Sequence, residues 1–169
     1  AAALVMGAAG TMPGELHKIW DAAPGGYHME YGFSCMGYEI AGALGIKMAR
    51  PGADVVCMLG DGSYMMANSE LATAVATGGA PFNNLLADSF HVNDTLIDFA
   101  AHAAAMGAIS VKVKDIKELE VELRAAKSAS LPRVIVIDTD PGPSTAAGGH
   151  WWDVAVPEVS DRPEVQAAR

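Results

Sequence analysis

The nine residues VVCMLGDGS, at positions 55–63, decide the fold. Five apolar residues, two of them β-branched, run directly into Gly60, Asp61, Gly62 and Ser63, which is typical of a buried parallel strand that ends in a tight, oxygen-rich turn. Ligands of parallel sheets bind outside the carboxyl ends of the strands, where the next helix directs its amides at an anion. The stretch therefore predicts a metal-diphosphate site centred on Asp61. The alternative is a simple Asp-Gly turn that binds no ligand.

Composition favours a single soluble domain. The chain has 169 residues, 51% of them hydrophobic, with a mean hydropathy of +0.21, which is enough for a substantial core. No apolar run reaches the roughly 18 residues of a spanning helix. We therefore expect no membrane segment. The first ten residues, AAALVMGAAG, lack a basic region, so we interpret them as a first strand rather than a signal peptide.

The net charge limits the possible ligands, and the cysteines indicate the redox compartment. A formal net charge of −9 argues against binding to nucleic acid, and it leaves metal and backbone amides to hold an anionic cofactor. Cys35 and Cys57 suit a reducing cytoplasm, where we expect each to be a small buried hydrophobe rather than a disulfide partner.

The rest of the chain alternates between strands and helices. Strands are expected over residues 4–9, 109–113 and 133–138, and helices from about Glu15 and over 36–48, 65–77, 97–106 and 115–127. Gly78 and Gly79 are expected to end the helix over 65–77, and Gly107 the next helix. Residues 27–35 indicate a loop or a short irregular strand, and residues 80–95 show neither period.

Two helices have further signals. The glycines of residues 36–48 give one small-residue face, which requires close packing on a sheet. Asp115 and Glu118 form a capping-box pair, with Ile116, Leu119 and Leu123 as the expected buried stripe. Together the elements predict an α/β fold, a doubly wound, mostly parallel sheet with helices on both faces. Residues 1–140 form this domain and residues 141–169 a carboxyl-terminal arm containing Trp151 and Trp152, which we expect at an oligomer interface.

Several motifs together resemble a known family. SCMG at 34–37 precedes the glycine-rich helix, GDGS lies at 60–63, and SELATAV follows at 69–75. This arrangement resembles the diphosphate-binding (PP-type) domain of thiamine-diphosphate enzymes related to acetolactate synthase. Five phrases resemble more closely the trihydroxycyclohexanedione hydrolases of myo-inositol catabolism. They are PGELHKIW (13–20), YHMEYGFSCMGYEIAG (27–42), GDGSYMM (60–66), GGAPFNNLL (78–86) and WWDVAVPEVS (151–160).

The resemblance implies a function and a set of site residues. The chain would bind thiamine diphosphate and Mg²⁺ and serve a cytoplasmic hydrolase that cleaves a carbon–carbon bond. Asp61 would ligate Mg²⁺, while Gly62 and Ser63 would donate hydrogen bonds to the diphosphate. The remaining implied cofactor contacts are Gly10, Thr11 and Met12, on the other side of the diphosphate, and Ser34, Cys35 and Met36, at the aminopyrimidine.

Other residues have open interpretations. His28 and Glu30 face substrate or form a solvated loop pair. The remaining histidines lack metal-ligand spacing, so we assign them to surface or satisfied core positions. They are His17, His91, His102 and His150.

The chain departs from the family pattern in two respects. The family's second Mg²⁺ ligand is an Asn at the end of a strand about 25–30 residues past GDG. Asn83 and Asn84 lie near that distance, but no apolar strand precedes them, so we do not interpret them as this ligand. Compared with the family, a strand and a loop are absent between Thr77 and Gly78. Either the protein lacks them, or it contains a segment there that the 169 residues leave out. The second departure concerns the glutamate that activates the cofactor in the family. It belongs to a pyrimidine-binding domain, usually of a neighbouring subunit, and no segment of this sequence matches it.

These departures define the alternatives. We expect a homo-oligomer of a longer chain and an inactive isolated segment. An acetolactate synthase-like enzyme or decarboxylase is the alternative within the superfamily. The alternative of another class is a non-catalytic interaction domain in which GDG is only a turn.

Overall fold

The computed structural model describes residues 3–8, 10–30, 32, 33, 35–77, 82–87, 97–140 and 163, with only the backbone for 82–87. The strands are β1 (Leu4–Gly7), β2 (Tyr27–Met29), β3 (Val55–Gly60), β4 (Phe82–Ala87), β5 (Ile109–Val113) and β6 (Arg133–Ile137). The helices are α1 (Thr11–Ile19), α2 (Tyr38–Ala49), α3 (Asp61–Ala67), α4 (Ser69–Ala76), α5 (Phe99–Ala105) and α6 (Ile116–Ala126).

All six strands pair in parallel in one sheet, in the order β2-β1-β3-β4-β6-β5. Because parallel crossovers are right-handed, the connections that run in opposite directions along the sheet lie on opposite faces. Helices α2, α3, α4 and α5 therefore cover one face, and α1 and α6 cover the other. This arrangement confirms the predicted doubly wound α/β fold.

Side-chain burial follows the two faces. On the first face, alternate residues of the central strands, such as Cys57 and Val134, form one cluster with residues of α2, α3, α4 and α5. Val5 and Ile135 point the opposite way along their strands and are also buried. Both faces are therefore covered, as in a sheet whose crossovers are helices. None of the helices that the structure describes is long and apolar enough to cross a membrane.

Two helices begin earlier than the sequence predicts. Helix α1 begins at Thr11 rather than near Glu15, because Pro13 lies in the first turn, where a helix needs no amide donor. The predicted turn at residues 60–63 is instead the start of α3, with Gly60 as its N-cap. The segment predicted as one helix over 65–77 is two helices separated at Asn68.

The absence of regular structure predicted for residues 80–95 is wrong for 82–87. These residues form β4, which pairs with β3 on one side and with β6 on the other. Hydrogen bonding from two neighbours overrides the weak local pattern of FNNLLA. In this register Asn83 and Asn84 lie level with Val56 and Cys57, whereas Ala87 lies level with Gly60.

The remaining element predictions agree with the structure, but two burial predictions do not. Asp115 caps α6 by accepting the Glu118 amide, as the capping box predicts. The expected burial of Cys35 is wrong, since it is exposed, whereas Cys57 is buried as expected. The expected buried stripe of α6 is also wrong, since Leu119 and Leu123 are only half-buried. The third member, Ile116, is 64% exposed. It lies in the first turn of a helix beside the edge strand β5, which leaves little sheet to cover it. The predictions for residues 78, 79, 91, 150 and 141–162 fall outside the described residues.

Candidate cofactor site

The topology creates one crevice at the carboxyl edge of the sheet. Strands β1 and β3 are neighbours, but the chain leaves β1 toward β2 and leaves β3 toward β4. Such a reversal opens a gap above the strand ends, where open α/β sheets bind ligands. Gly10 follows β1 and Asp61 follows β3, so the two predicted diphosphate-contacting segments lie on the two sides of this gap.

The start of α1 leaves backbone amides free for an anion. Gly10 is the N-cap residue with φ 131° and ψ −174°, a conformation that only glycine adopts readily. It offers no side-chain cap, and its carbonyl accepts the amide of Gly14 at 3.0 Å. The amides of Thr11 and Met12 therefore have no acceptor within the helix. This is the donor arrangement that a phosphate group requires.

The start of α3 supplies a carboxylate. Asp61 is half-buried, and its Oδ1 accepts the amide of Gly62 at 2.8 Å, which fixes one carboxylate oxygen beside the helix start. Ser63 is buried, and among the described residues beyond its chain neighbours none lies within 4 Å of the place where a side chain on Gly60 would begin. Within the described ranges no three His, Cys, Asp or Glu side chains gather around a metal position. One carboxylate suffices for Mg²⁺ when phosphates supply further ligands, so the donor set fits a Mg²⁺-diphosphate group.

The loop before α2 reaches this site. The terminal methyl Cε of Met36 lies 3.4 Å from the position that a Cβ on Gly62 would occupy. Gly37 has φ 89°, and its corresponding position is 3.0 Å from Cβ of Met66 on α3. Two motifs separated by about two dozen residues in the sequence are thus in contact. The predicted role of Ser34 falls outside the described residues.

Glu30 is directed at its own loop. Its carboxylate oxygens accept the amide of Phe33 at 3.3 Å and the amide of Cys35 at 2.5 Å. The amides of Cys35 and Phe33 lower the pKa of Glu30, because they stabilise the charged form. Loss of hydration and the nearby Glu30 charge raise the pKa of the Cys35 thiol, so Cys35 is not an activated nucleophile.

His28 has a partner that the sequence did not indicate. Its ring stacks on Tyr38 with centroids 6.0 Å apart, and Nε2 lies 3.3 Å from the Tyr38 hydroxyl. Both side chains are exposed near the carboxyl end of β2 and the start of α2. The pair offers exposed hydrogen-bonding groups beside the Met36 loop. One hint of this pair is present in the sequence, which is that Tyr38 directly follows Met36 and Gly37.

Sequence reasoning also missed two buried polar groups. Glu39 in α2 is 1% exposed and accepts the amide of Gly37 at 2.8 Å. Tyr64 in α3 is fully buried, and its hydroxyl lies 2.9 Å from Nδ1 of His102, which confirms the prediction of a satisfied position for this histidine.

The family comparison agrees with this geometry. Residues 8–89, which contain all the segments around the crevice, match the family described as thiamine pyrophosphate enzyme, C-terminal TPP binding domain. Over these residues the chain is similar to the thiamine pyrophosphate enzymes. Its resemblance to that family is thereby confirmed, with thiamine diphosphate as the cofactor and Mg²⁺ as the usual partner of the cofactor in the family.

Two named relatives cover nearly the whole chain. The 3D-(3,5/4)-trihydroxycyclohexane-1,2-dione hydrolase 2 of Bacillus cereus is 38% identical over 197 residues, which include 98% of this chain and 31% of the relative. The hydrolase of that name from Halalkalibacterium halodurans is 38% identical over 190 residues, 98% of this chain and 30% of the relative. The chain thus spans less than a third of the relatives' length. Both alignments are longer than its 169 residues, so the relatives carry residues inside the matched range that this chain lacks.

Solved structures share the fold. The benzoylformate decarboxylase of Polynucleobacter necessarius has a TM-score of 0.67 at 18% identity, over 80% of this chain and 30% of that one. The thiamine diphosphate-dependent 4-hydroxybenzoylformate decarboxylase of Rhodococcus jostii has a TM-score of 0.66 at 18% identity, over 82% and 29%. At this identity the likeness concerns the architecture alone.

Proposed function

We propose that this chain is the cofactor-binding part of a cytoplasmic hydrolase that opens the ring of 3D-(3,5/4)-trihydroxycyclohexane-1,2-dione in inositol catabolism. The observation that carries the proposal is the 38% identity to hydrolases of that name across 98% of the chain. Bound thiamine diphosphate supplies a nucleophilic carbon for attack on a ketone, and the chain's own residues position it.

The roles of the site residues follow from their places around the crevice. Asp61 holds Mg²⁺, and the start of α1 directs amides at the diphosphate. The assigned diphosphate contacts are Gly10, Thr11, Met12, Gly62 and Ser63. The loop of Ser34, Cys35 and Met36 holds the aminopyrimidine, and the contact of Met36 with Gly62 supports a role in holding the cofactor between the two segments.

Substrate contact is assigned to the exposed pair of His28 and Tyr38. A polyol dione carries several hydroxyl groups, and an imidazole beside a phenol can both donate and accept hydrogen bonds. Both carboxylate oxygens of Glu30 accept loop amides. Glu30 therefore acts on substrate binding by holding the loop in place rather than by direct contact.

A pyrimidine-binding domain of the same or a neighbouring subunit completes the site. The chain spans less than a third of its relatives, and large apolar side chains stand exposed beside the crevice. These are Phe33 at 91%, Met66 at 65% and Met36 at 50%. Such exposure is typical of a surface that another domain covers. We expect a homo-oligomer and no turnover by the isolated chain; steady-state dione hydrolysis by this chain alone would contradict the proposal.

Calorimetric titration of thiamine diphosphate, with and without Mg²⁺, tests the cofactor site. We expect metal-dependent binding that Asp61→Ala abolishes, because the only protein carboxylate assigned to the metal is lost. Asp21→Ala is the matched control, since it removes an exposed carboxylate on a different segment. Equal affinity in wild type and Asp61→Ala would favour the interaction domain in which GDG is only a turn.

The substrate is tested in a chain extended with the remaining two thirds of the Bacillus cereus relative. We expect hydrolysis of the trihydroxycyclohexanedione and no acetolactate or aldehyde from pyruvate. Turnover of pyruvate alone would reassign the chain to the acetolactate synthase-like enzymes or the decarboxylases.

A further inference from the structure

Two carboxylates hold the backbone on either side of Met36. Glu30 accepts the amides of Phe33 and Cys35, and Glu39 accepts the amide of Gly37. The two acids come from different elements: Glu30 directly follows β2, and Glu39 lies in the first turn of α2. Their hydrogen bonds therefore fix the segment before and after Met36 independently.

The burial of Glu39 indicates that this arrangement has a cost. Glu39 is 1% exposed. It lies near the fully buried Cys57, and burial together with the Glu39 charge raises the pKa of the Cys57 thiol. A carboxylate removed from water is destabilising unless hydrogen bonds compensate it. A helix start could be capped by an exposed Ser, Thr or Asp at no such cost. The buried position instead places the acceptor directly under the Gly37 amide.

The bound amides also change what the loop can offer to a ligand. A loop with free amides attracts anions, as the start of α1 does. Here the amides of Phe33, Cys35 and Gly37 are already taken by carboxylates. The phosphate groups of a ligand therefore cannot bind to these three amides, so we expect Glu30 and Glu39 to affect the binding of the rest of the cofactor and not of its diphosphate.

We infer that Glu30 and Glu39 are positioning residues: their hydrogen bonds to the backbone hold Met36 against Gly62 and thereby raise the affinity of the loop for the thiamine part of the cofactor. The inference rests on the proposed function, which brings the cofactor to this loop.

The test compares two ligands and two variants. Calorimetry with Mg²⁺ measures the affinity of thiamine diphosphate and, separately, of inorganic diphosphate for wild type, Glu30→Ala and Glu39→Ala. We expect each variant to weaken thiamine diphosphate about tenfold, which corresponds to ~1.4 kcal/mol, and to leave inorganic diphosphate unchanged. Glu120→Ala on α6 is the matched control and changes neither affinity, because Glu120 pairs with the exposed Arg124 on the same helix. Equal losses for both ligands would show general damage and overturn the inference.

Amide hydrogen exchange, followed by nuclear magnetic resonance, tests the contacts without any ligand. Glu30→Ala should accelerate exchange at Phe33 and Cys35 but not at Gly37, and Glu39→Ala should do the reverse. Unchanged exchange at these amides would overturn the inference. If Glu39→Ala does not fold, Glu39→Gln replaces it, since its amide oxygen still accepts one hydrogen bond without the charge.

The two proposals fail differently. If wild type binds thiamine diphosphate and both alanine variants bind it equally well, the positioning role is wrong and the proposed function stands. If wild type binds no thiamine diphosphate, the titration is repeated on the chain extended with the rest of the Bacillus cereus relative; absence of binding there too would overturn the proposed function and, with it, the assignment of the loop to the cofactor.

Discussion

At the scale of single residues, Tyr64 makes a prediction that is independent of any ligand. Its side chain is fully buried, and burial raises its pKa to about 12 from the ordinary value of 10.0. Between these two values the unfolded chain loses the phenolic proton while the folded chain keeps it. The free energy of unfolding therefore falls as the pH rises through this window, by at most about 1.36 kcal/mol per pH unit.

Tyr64→Phe removes this part of the pH dependence. Urea unfolding at pH 9 and pH 11 should show a larger loss of stability for wild type than for the variant. At pH 9, below the ordinary pKa, the variant should be less stable by roughly 1 kcal/mol, because the hydrogen bond to His102 is gone. Equal pH slopes in the two proteins would show that Tyr64 ionises as it does in the unfolded chain.

The same scale shows what sequence could predict about the site. The position of Asp61 and Gly62 at the carboxyl end of a central strand was predictable, because a carboxylate between glycines after an apolar strand is a local pattern. Glu39 and the partner of His28 were not, because their roles come from side chains brought together by folding. A buried glutamate in a helix has the same local sequence as an exposed one, so only the packed structure distinguishes them.

At the scale of elements, the glycines of α2 provide a matched pair. A Cβ on Gly42 would lie 2.8 Å from Cε of Met6 and 2.8 Å from the Tyr38 ring, whereas in the part of the chain that the structure describes no atom outside the helix backbone and the neighbouring residues lies within 4 Å of one on Gly45. The predicted small-residue face therefore packs closely at Gly42 and not at Gly45. Gly45→Ala should stabilise the chain by about 0.5–1 kcal/mol, since alanine loses less backbone entropy in a helix.

Gly42→Ala should give no such gain, because Met6 or Tyr38 must move to admit the methyl group. Thermal or urea unfolding of both variants beside wild type measures the difference directly. Stabilisation of similar size at both positions would show that close packing does not explain Gly42.

Element boundaries were predictable where a local cap defines them. The Asp115 and Glu118 pair gave the start of α6 to within a residue, since the hydrogen bonds are local: Asp115 accepts the amide of Glu118, and Glu118 accepts the amide of Lys114. The start of α3 was predicted too late because its N-cap Gly60 has no side chain to signal it. Strand β4 was missed for a different reason. Its pairing to β3 and β6 is non-local, and its own residues favour a turn.

At the scale of the whole molecule, β4 is the element that fits its surroundings least. It lies in the middle of a six-stranded parallel sheet, where strands are normally continuous runs of Val, Ile and Leu. Its sequence FNNLLA contains two asparagines, which strands disfavour. The alignment with the Bacillus cereus relative exceeds the length of this chain by 28 positions, from 197 aligned against 169 present. Both observations support the proposal that a strand and loop are missing between Thr77 and Gly78.

Restoring that segment makes the final prediction. The residues that the Bacillus cereus relative carries there, inserted between Thr77 and Gly78, should supply an apolar central strand and, at its end, a second ligand for Mg²⁺. We expect a higher melting temperature and a gain of about tenfold or more in Mg²⁺-dependent affinity for thiamine diphosphate, equivalent to ~1.4 kcal/mol. A Gly-Ser insertion of equal length is the control, because it lengthens the connection without adding a strand or a ligand. If both insertions leave affinity and stability unchanged or lower, β4 as it stands is the native central strand. Peptide mapping by mass spectrometry that finds further residues between Thr77 and Gly78 would show independently that the natural protein already contains the segment.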